Sequence, residues 1–281
     1  MEDFEDPELL RIKPTRTKGE YCWTCTPSII LYSIDKFQLD SCIYVDADIC
    51  FYNDPQVLVD EMQEASVLIT EHRYSPSYNL SIESGKYCVQ FMVFKNDEKG
   101  KIVLNWWRER CIEWCYARHE DGKFGDQKYL DDWLTRFEGV HSLKHLGGGV
   151  APWNIEQYDF MLEDGILKGI ELSSQNKFDL IFYHFHALKL YKYRISLITS
   201  ESYGISPNNF QLIYQPYIKK LETIIAELLL EDLEVLAYFR SKNSTMNYLF
   251  FLHARLKNYI RKMLAKKLNS NYMMSNYIKI K

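Results

Sequence analysis

Three short apolar runs restrict this chain more than anything else in it: "SCIYV" (Ser41–Val45), "SVLIT" (Ser66–Thr70) and "YCVQFMVFK" (Tyr87–Lys95). Each reads as a strand, and helical patterns separate them. Thr26-Pro27 has the form of an N-cap and first helical residue, predicting a helix through about Phe37. Asp54-Pro55 predicts another by the same logic. A long helix is expected from about Asp97 to Arg118, with Ile102, Trp106, Cys111 and Trp114 among its apolar residues. Short strands alternating with helices place the chain in the α/β class. Further on come a glycine-rich "LGGGVAPWN", an Asp164-Gly165 turn that predicts a hairpin between "YDFML" and "ILKGIEL", and a strand "FDLIFYHF" (Phe178–Phe185). From about Asn208 the pattern changes to two long amphipathic helices broken at "SKNST" (Ser241–Thr245). The expected organisation is therefore an α/β domain over 1–200 and a helical, basic extension over 205–281.

With 281 residues, 47% of them apolar, the chain can bury a sizeable core. It contains no uncharged apolar run of about 18 residues or more, so no membrane-spanning helix is expected. "MEDFEDPELL" is acidic and lacks the apolar core of a signal peptide, which predicts a cytoplasmic protein. The seven cysteines are odd in number and all precede residue 116, a poor fit to a secreted disulfide framework. Cys22 and Cys25 with Cys111 and Cys115 have zinc-like spacing, but "YCWTC" and "RCIEWCYAR" place them among aromatics, where reduced cysteine packs as a small hydrophobe. Of the 34 Lys and Arg residues, eight lie from Ala254 onward with no acid among them, leaving 26 against 38 acids and a formal −12 for the rest. An acidic body with a basic tail points to an anionic surface partner for the tail alone. No nucleic-acid motif accompanies it.

The chemistry-bearing stretch is "YVDADICFYNDP" (Tyr44–Pro55). If extended, Asp46 and Asp48 face the same way and direct two carboxylates at one point. They stand where an apolar strand stops, and in open α/β sheets ligands sit beyond the carboxyl ends of strands. Two hard oxygen donors there suit Mg²⁺ or Mn²⁺ bridging to a diphosphate. A surface turn or a helix cap uses aspartate too, and a bare D-x-D is common.

This stretch resembles the D-x-D signature of GT-A fold glycosyltransferases, in which hydrophobic-Asp-x-Asp is followed by a D-P turn. Later elements resemble, in order and spacing, the family 8-like nucleotide-diphospho-sugar transferase group. "YCVQFMVFK" stands for its F-N-x-G strand, "GDQKYLDDW" for its D-Q-x-x-L-N segment, "GVAPWN" for its W-N turn, and "FYHFHALK" for its H-x-x-G-x-x-K motif. The likeness runs from about Asp3 to Leu190. It implies a mixed sheet flanked by helices and transfer of a sugar from a nucleotide donor, a UDP-sugar by the usual pattern, to a saccharide acceptor. Bacterial surface polysaccharide or lipopolysaccharide synthesis is the setting it suggests. By the same resemblance Asp46 and Asp48 bind the metal and through it the diphosphate. His184 is the third ligand with His186 its substitute, and Lys189 offsets phosphate charge. Asp126 and Gln127 hold sugar hydroxyls, with Asp126 the candidate for direct catalytic involvement, and Trp153 and Asn154 line the acceptor side.

The sequence departs from that pattern at Cys88 and Gln90, which replace Asn and Gly, and at Ala187, which replaces Gly. Enzymes of the group also carry further βα units ahead of the D-x-D, including the strand that grips the base, so the resemblance implies an N-terminally shortened domain. A second reading follows: a non-catalytic GT-A fold binding module without the base-binding half. A third, a D-x-D phosphatase with an aspartate nucleophile, has only "LDDW" (Leu130–Trp133) to supply an acidic partner. In the tail, Leu256, Ile260, Met263, Leu264 and Leu268 recur at helical spacing among Lys and Arg. That pattern suits the anionic inner face of a membrane, and equally a groove on the domain or on another chain.

Overall fold

A computed structural model describes residues 3–191, 195–199, 203–231 and 277–279. The break at Ser241–Thr245 and the basic segment carrying Leu256 to Leu268 lie outside the described residues. The first element is a short helix α1 (Pro7–Ile12), capped by the Asp6 side chain. It leads to α2 (Lys18–Phe37), which starts eight residues before the Thr26-Pro27 expected to open it. The true N-terminal signal is a capping box. Thr17 Oγ1 accepts from the Glu20 amide, and Glu20 Oε2 accepts from the Thr17 amide at 2.8 Å. Pro27 is buried in the helix interior, and the Thr26 hydroxyl beside it donates instead to the Cys22 carbonyl at 3.4 Å.

The strand β1 (Ser41–Val45) ends at the aspartates, and a turn returns the chain as β2 (Ile49–Phe51). Helix α3 (Gln56–Asp60), β3 (Val67–Glu71), the short α4 (Ser81–Ser84) and β4 (Tyr87–Lys95) follow. Helix α5 (Glu98–Glu113) stops before Trp114, whose φ of −152° is extended, so the helix is shorter than the expected run to Arg118. A four-stranded mixed sheet forms with β5 (Val140–Ser142) in the order β1-β4-β3-β5. Its β1/β4 and β3/β4 pairs are antiparallel and its β3/β5 pair is parallel.

Strand β4 is covered on both faces, which is why it reads as an unbroken apolar run. Tyr87, Val89, Met92 and Phe94 pack with Ile30 and Ile34 of α2, with Val103, Leu104 and Trp107 of α5, and with Trp133 of α6 (Trp133–Arg136). Phe91 and Val93 face Leu58, Met62, Leu143 and Phe182 on the other side. The change of parity between Val89 and Phe91 marks a bulge. Pairing runs from Leu68↔Val93 to Thr70↔Cys88, advancing two residues along β3 and five along β4. Bulges of this kind re-aim side chains, and Gln90 is the residue re-aimed.

The Asp164-Gly165 hairpin forms between β6 (Tyr158–Glu163) and β7 (Ile166–Glu171), with φ of 51° and 79° at its two turn residues. The expected strand over Phe178–Phe185 is instead two short ones. The first, β8 (Lys177–Asp179), pairs with β7, and the second, β9 (Phe182–His184), pairs with β2. Between them Leu180 and Ile181 donate to the Leu167 and Gly147 carbonyls, so no single sheet can claim the whole run. Strands β10 (Lys189–Tyr191), β11 (Ile195–Leu197) and β12 (Tyr277–Lys279) form a further antiparallel sheet.

The boundary expected at 200–205 falls inside a core. A helical stretch runs from α7 (Pro207–Asn209) through a π turn (Phe210–Tyr214) into α8 (Gln215–Glu231). Ile205, Ile213, Tyr214 and Ile218 pack with Val150, Tyr183 and Phe185. The Tyr183 and Tyr214 hydroxyls are 2.7 Å apart, and Phe185 stacks on Tyr217 with ring centroids at 3.7 Å. Among the described residues no helix is long and apolar enough to cross a membrane.

The glycine-rich loop serves packing. A Cβ on Gly147 would lie 1.9 Å from the Asp179 carbonyl oxygen, a backbone atom that cannot swing aside. Gly19, in the first turn of α2, has nothing within 4 Å of such a Cβ. Gly147→Ala is therefore expected to cost about 1–3 kcal/mol or more, and Gly19→Ala to stabilise by about 0.5–1 kcal/mol. Urea denaturation of the two variants beside the wild type measures both signs.

Candidate metal centre in an aromatic-lined cavity

Asp46-Ala47-Asp48 occupies the turn between β1 and β2, closed by the Ile49 amide donating to the Asp46 carbonyl at 3.2 Å. The carboxylates are thus brought together by a turn and not by the period of an extended strand. The Asp46 amide still donates to the Gln90 carbonyl at 3.0 Å, continuing the β1/β4 ladder by one residue. Across the turn the Phe185 amide donates to the Asp48 carbonyl at 2.8 Å, and the pairing of β2 with β9 sets Ile49 opposite His184. That ladder delivers the imidazole.

Asp46, Asp48 and His184 each offer a ligand atom, and these atoms all lie within 4.8 Å of one another. His184 Nε2 is 2.9 Å from Asp48 Oδ1 and 3.9 Å from Asp46 Oδ2. Octahedral coordination at about 2.1 Å puts neighbouring ligand atoms about 3.0 Å apart, so one edge already has that length and the other needs a small closure. The imidazole's far side is held as well, with Nδ1 3.0 Å from Gln90 Oε1. Two carboxylates and an oriented imidazole make a donor set suited to Mn²⁺ and related divalent ions.

Burial pushes the Asp46 carboxyl above the usual carboxylate range, against the pull of His184 and of the Tyr44 hydroxyl, which donates to Oδ1 at 3.0 Å. Burial acts on Asp48 too, but the bond and charge of His184 outweigh it and hold that carboxyl below the usual range.

The cluster opens into a cavity of about 550 Å³, within the range of small-molecule sites. One side is formed by Cys22, Trp23 and the Phe124–Gln127 loop. The other is formed by His72, Tyr74, Tyr78, Trp153, His186 and Tyr203. Asp126 lies in the first wall, almost fully buried. Burial, followed by the Asp46 charge, pushes its carboxyl up to about 7. The Gln127 side chain also faces the cavity, with its amide nitrogen donating to the Ser84 carbonyl at 2.7 Å. His186 sits exposed at the rim, its ring 5.5 Å from Trp153 and 5.9 Å from His184, outside the tight cluster.

Asn154 and Lys189 fall outside the cavity, and Trp153 lines it with its polar atom already engaged. Asn154 is fully buried behind the wall and does not reach an acceptor. Its Nδ2 donates to the His72 and Gly149 carbonyls at 2.8 and 2.9 Å, and its Oδ1 accepts from the Ala151 amide at 3.0 Å. Trp153 shows the cavity a ring face, but its indole N–H is spent on the His72 carbonyl at 2.9 Å. Lys189, on β10, is not among the residues lining the cavity. The phosphatase reading loses its acidic partner for the same reason. Asp131 pairs with Lys128 at 2.8 Å and Asp132 pairs with Arg136, and neither lines the cavity.

Ala187 has φ 64° in the turn closed by the Leu188 amide and the Phe185 carbonyl. That left-handed geometry accounts for the glycine expected there.

The residues that sequence reasoning missed are His72, Tyr74, Tyr78 and Tyr203, all of them outside the strands and helices. His72 stacks on Tyr74 at 4.5 Å, and burial holds its imidazole down to about 3, so it stays neutral. Tyr78 meets Tyr203 edge-on at 4.5 Å. The clue was the density of rings in "EHRYSPSY", unusual for a solvated loop.

Asp126 gives a pH signature. Between about pH 4 and 7 the unfolded chain has released this proton while the folded chain still holds it, so the group's contribution to stability falls as pH rises through that window. Asp126→Asn is expected to remove the decline, leaving the metal-free variant more stable above pH 7 by on the order of 2–4 kcal/mol. Urea midpoints across that range, taken in chelator, check it, and parallel curves for the two proteins would contradict it.

No family model matches the chain. Two Bacillus subtilis (strain 168) proteins are similar to it, and both carry only the description uncharacterized protein. YfnD is 31% identical over 239 residues, covering 81% of this chain and 73% of YfnD. YfnF is 33% identical over 195 residues, covering 66% of this chain and 63% of YfnF.

Proposed function

The chain belongs to the family of Bacillus subtilis YfnD, whose description carries no activity, and on the strength of the site we propose that it is a metal-dependent glycosyltransferase of the GT-A fold. The substrates in this reading are a nucleotide-sugar donor and a saccharide acceptor. The observation that carries it is the charge of the cavity. Asp46, Asp48 and Asp126 all line it, and among the described lining residues there is no Lys or Arg. A diphosphate cannot enter such a site without a cation to balance the carboxylates, and Asp46, Asp48 and His184 would hold that cation. Bound there, a divalent ion neutralises the charge that develops on a leaving nucleotide diphosphate.

The chain's own groups do the rest. Asp126 accepts hydrogen bonds from sugar hydroxyls once it has lost its proton. The Gln127 side chain is anchored to Ser84 at 2.7 Å and presents a fixed polar edge beside it. The aromatic wall offers ring faces to the C–H side of a sugar or to a base. Together these hold donor and acceptor in line and exclude water, which is most of what sugar transfer asks of a protein. The binding-module alternative shares the fold, but it gives no reason for two carboxylates and an imidazole to meet at the cavity mouth. The setting proposed is the one the sequence resemblance suggests, bacterial surface polysaccharide synthesis, with the basic C-terminal sequence as a contact to the anionic inner face of the membrane.

Isothermal titration with Mn²⁺ and a panel of UDP-sugars tests it. Binding of at least one UDP-sugar is expected only with the metal present, and Asp48→Asn is expected to abolish it. Asp48 is half exposed, so the substitution should move the melting temperature by no more than about 3 °C. Metal-independent binding, or a large stability loss in the variant, would count against the reading.

A further inference from the structure

Gln90 stands where the resembling glycosyltransferases have glycine, and its side chain has no counterpart in their pattern. It is fully buried, at the bulge where β4 changes parity. Its two ends hold the two halves of the candidate metal centre. The backbone carbonyl accepts from the Asp46 amide at 3.0 Å, and the side-chain oxygen faces His184 Nδ1 at 3.0 Å. Strand β1 and strand β9 are not paired with each other, and Gln90 adds a hydrogen-bonded bridge between them beside the one made by the turn into β2.

We propose that Gln90 is the positioning residue of this centre, holding the His184 ring so that Nε2 faces the two carboxylates as a cation ligand. The inference rests on the metal reading given above. With Nδ1 held against Gln90 Oε1, Nε2 is the nitrogen turned to the carboxylates, at 2.9 Å from Asp48 Oδ1 and 3.9 Å from Asp46 Oδ2. Without that anchor the ring is free to turn about its Cβ–Cγ bond and take Nε2 away from both carboxylates. The glutamine's place is enforced from behind, because a Cβ on Gly149 would come within 3.1 Å of Gln90 Nε2 and within 2.7 Å of Thr70 Cγ2. Glycine at 149 leaves the space in which the amide lies.

Two measurements on the full chain test this, and the first needs no metal. Long-range ¹⁵N–¹H spectra of the imidazoles are expected to show His184 with Nδ1 protonated in wild type and unprotonated in Gln90→Met, which keeps the volume but removes the acceptor. In the second, Mn²⁺ titration is expected to give about 10- to 100-fold weaker binding for Gln90→Met. Gln90→Glu, which restores an acceptor for Nδ1–H, is expected to return affinity to within about threefold of wild type, with a shifted Co²⁺ absorption band. If Gln90→Met does not fold, Gln90→Glu and the wild-type spectrum decide. An unprotonated Nδ1 in the wild type, a folded Gln90→Met that binds Mn²⁺ as tightly as wild type, or a folded Gln90→Glu that loses the metal would each overturn the inference. A wild type that has Nδ1 protonated yet binds no Mn²⁺ would instead sink the metal reading, and the inference with it.

Discussion

The interaction on which the rest of the structure depends is the meeting of a β1–β2 turn with the end of β9, where His184 Nε2 comes to 2.9 Å from Asp48. The two segments are far apart in sequence, and three features bring them together. The β2/β9 ladder sets Ile49 opposite His184. The β4 bulge turns Gln90 under both. The glycine loop, seated on the β8–β9 connection through the Gly147 carbonyl, lets that connection pass close enough. The buried sheet is accordingly more than a scaffold. Its central strand is irregular at the place where the chemistry needs a polar side chain.

Electrostatics explains why such a site would be kept. Asp46 and Asp126 are driven up by burial while Asp48 is drawn down by the imidazole, so neighbouring carboxyls are displaced in opposite directions. Separation of this kind is characteristic of functional carboxylates, because a purely structural cluster would lower its energy by recruiting a cationic side chain. The lining residues described here include none, and the walls carry aromatic rings together with His72 and His186, which desolvation keeps neutral. Under the proposed reading, a divalent ion among Asp46, Asp48 and His184 would balance these carboxylates. That balance links the local geometry to the proposed sugar transfer.

Much of this was legible in the chain. Strands β1 and β4 and the Asp164-Gly165 hairpin follow from apolar runs and turn chemistry that tertiary contacts do not override. Asp46 and Asp48 stood out as acids ending a strand, and His184 came from the resemblance. Other features were hidden for physical reasons. Pro27 looked like a helix start because proline favours first turns, whereas the Thr17/Glu20 box three turns upstream sets the boundary. The run Phe178–Phe185 has one hydrophobic pattern but two sheet partners, which only the fold assigns. The residues after 205 read as a separate helical unit because their apolar face is periodic, yet that face completes the core around Tyr183 and Phe185. Asn154 has the composition of a site residue and is consumed by backbone bonds, while Tyr74, Tyr78 and Tyr203 look like connectors and form the wall. Gln90, one polar letter in an apolar strand, was noticed only as a departure.

The most direct measurement is anomalous diffraction at the manganese edge from crystals of the wild-type chain grown with Mn²⁺. The account predicts a peak bounded by the side chains of Asp46, Asp48 and His184, with Gln90 still on the far side of the imidazole. No density between those three groups at saturating metal, or a peak bound elsewhere in the chain, would contradict it.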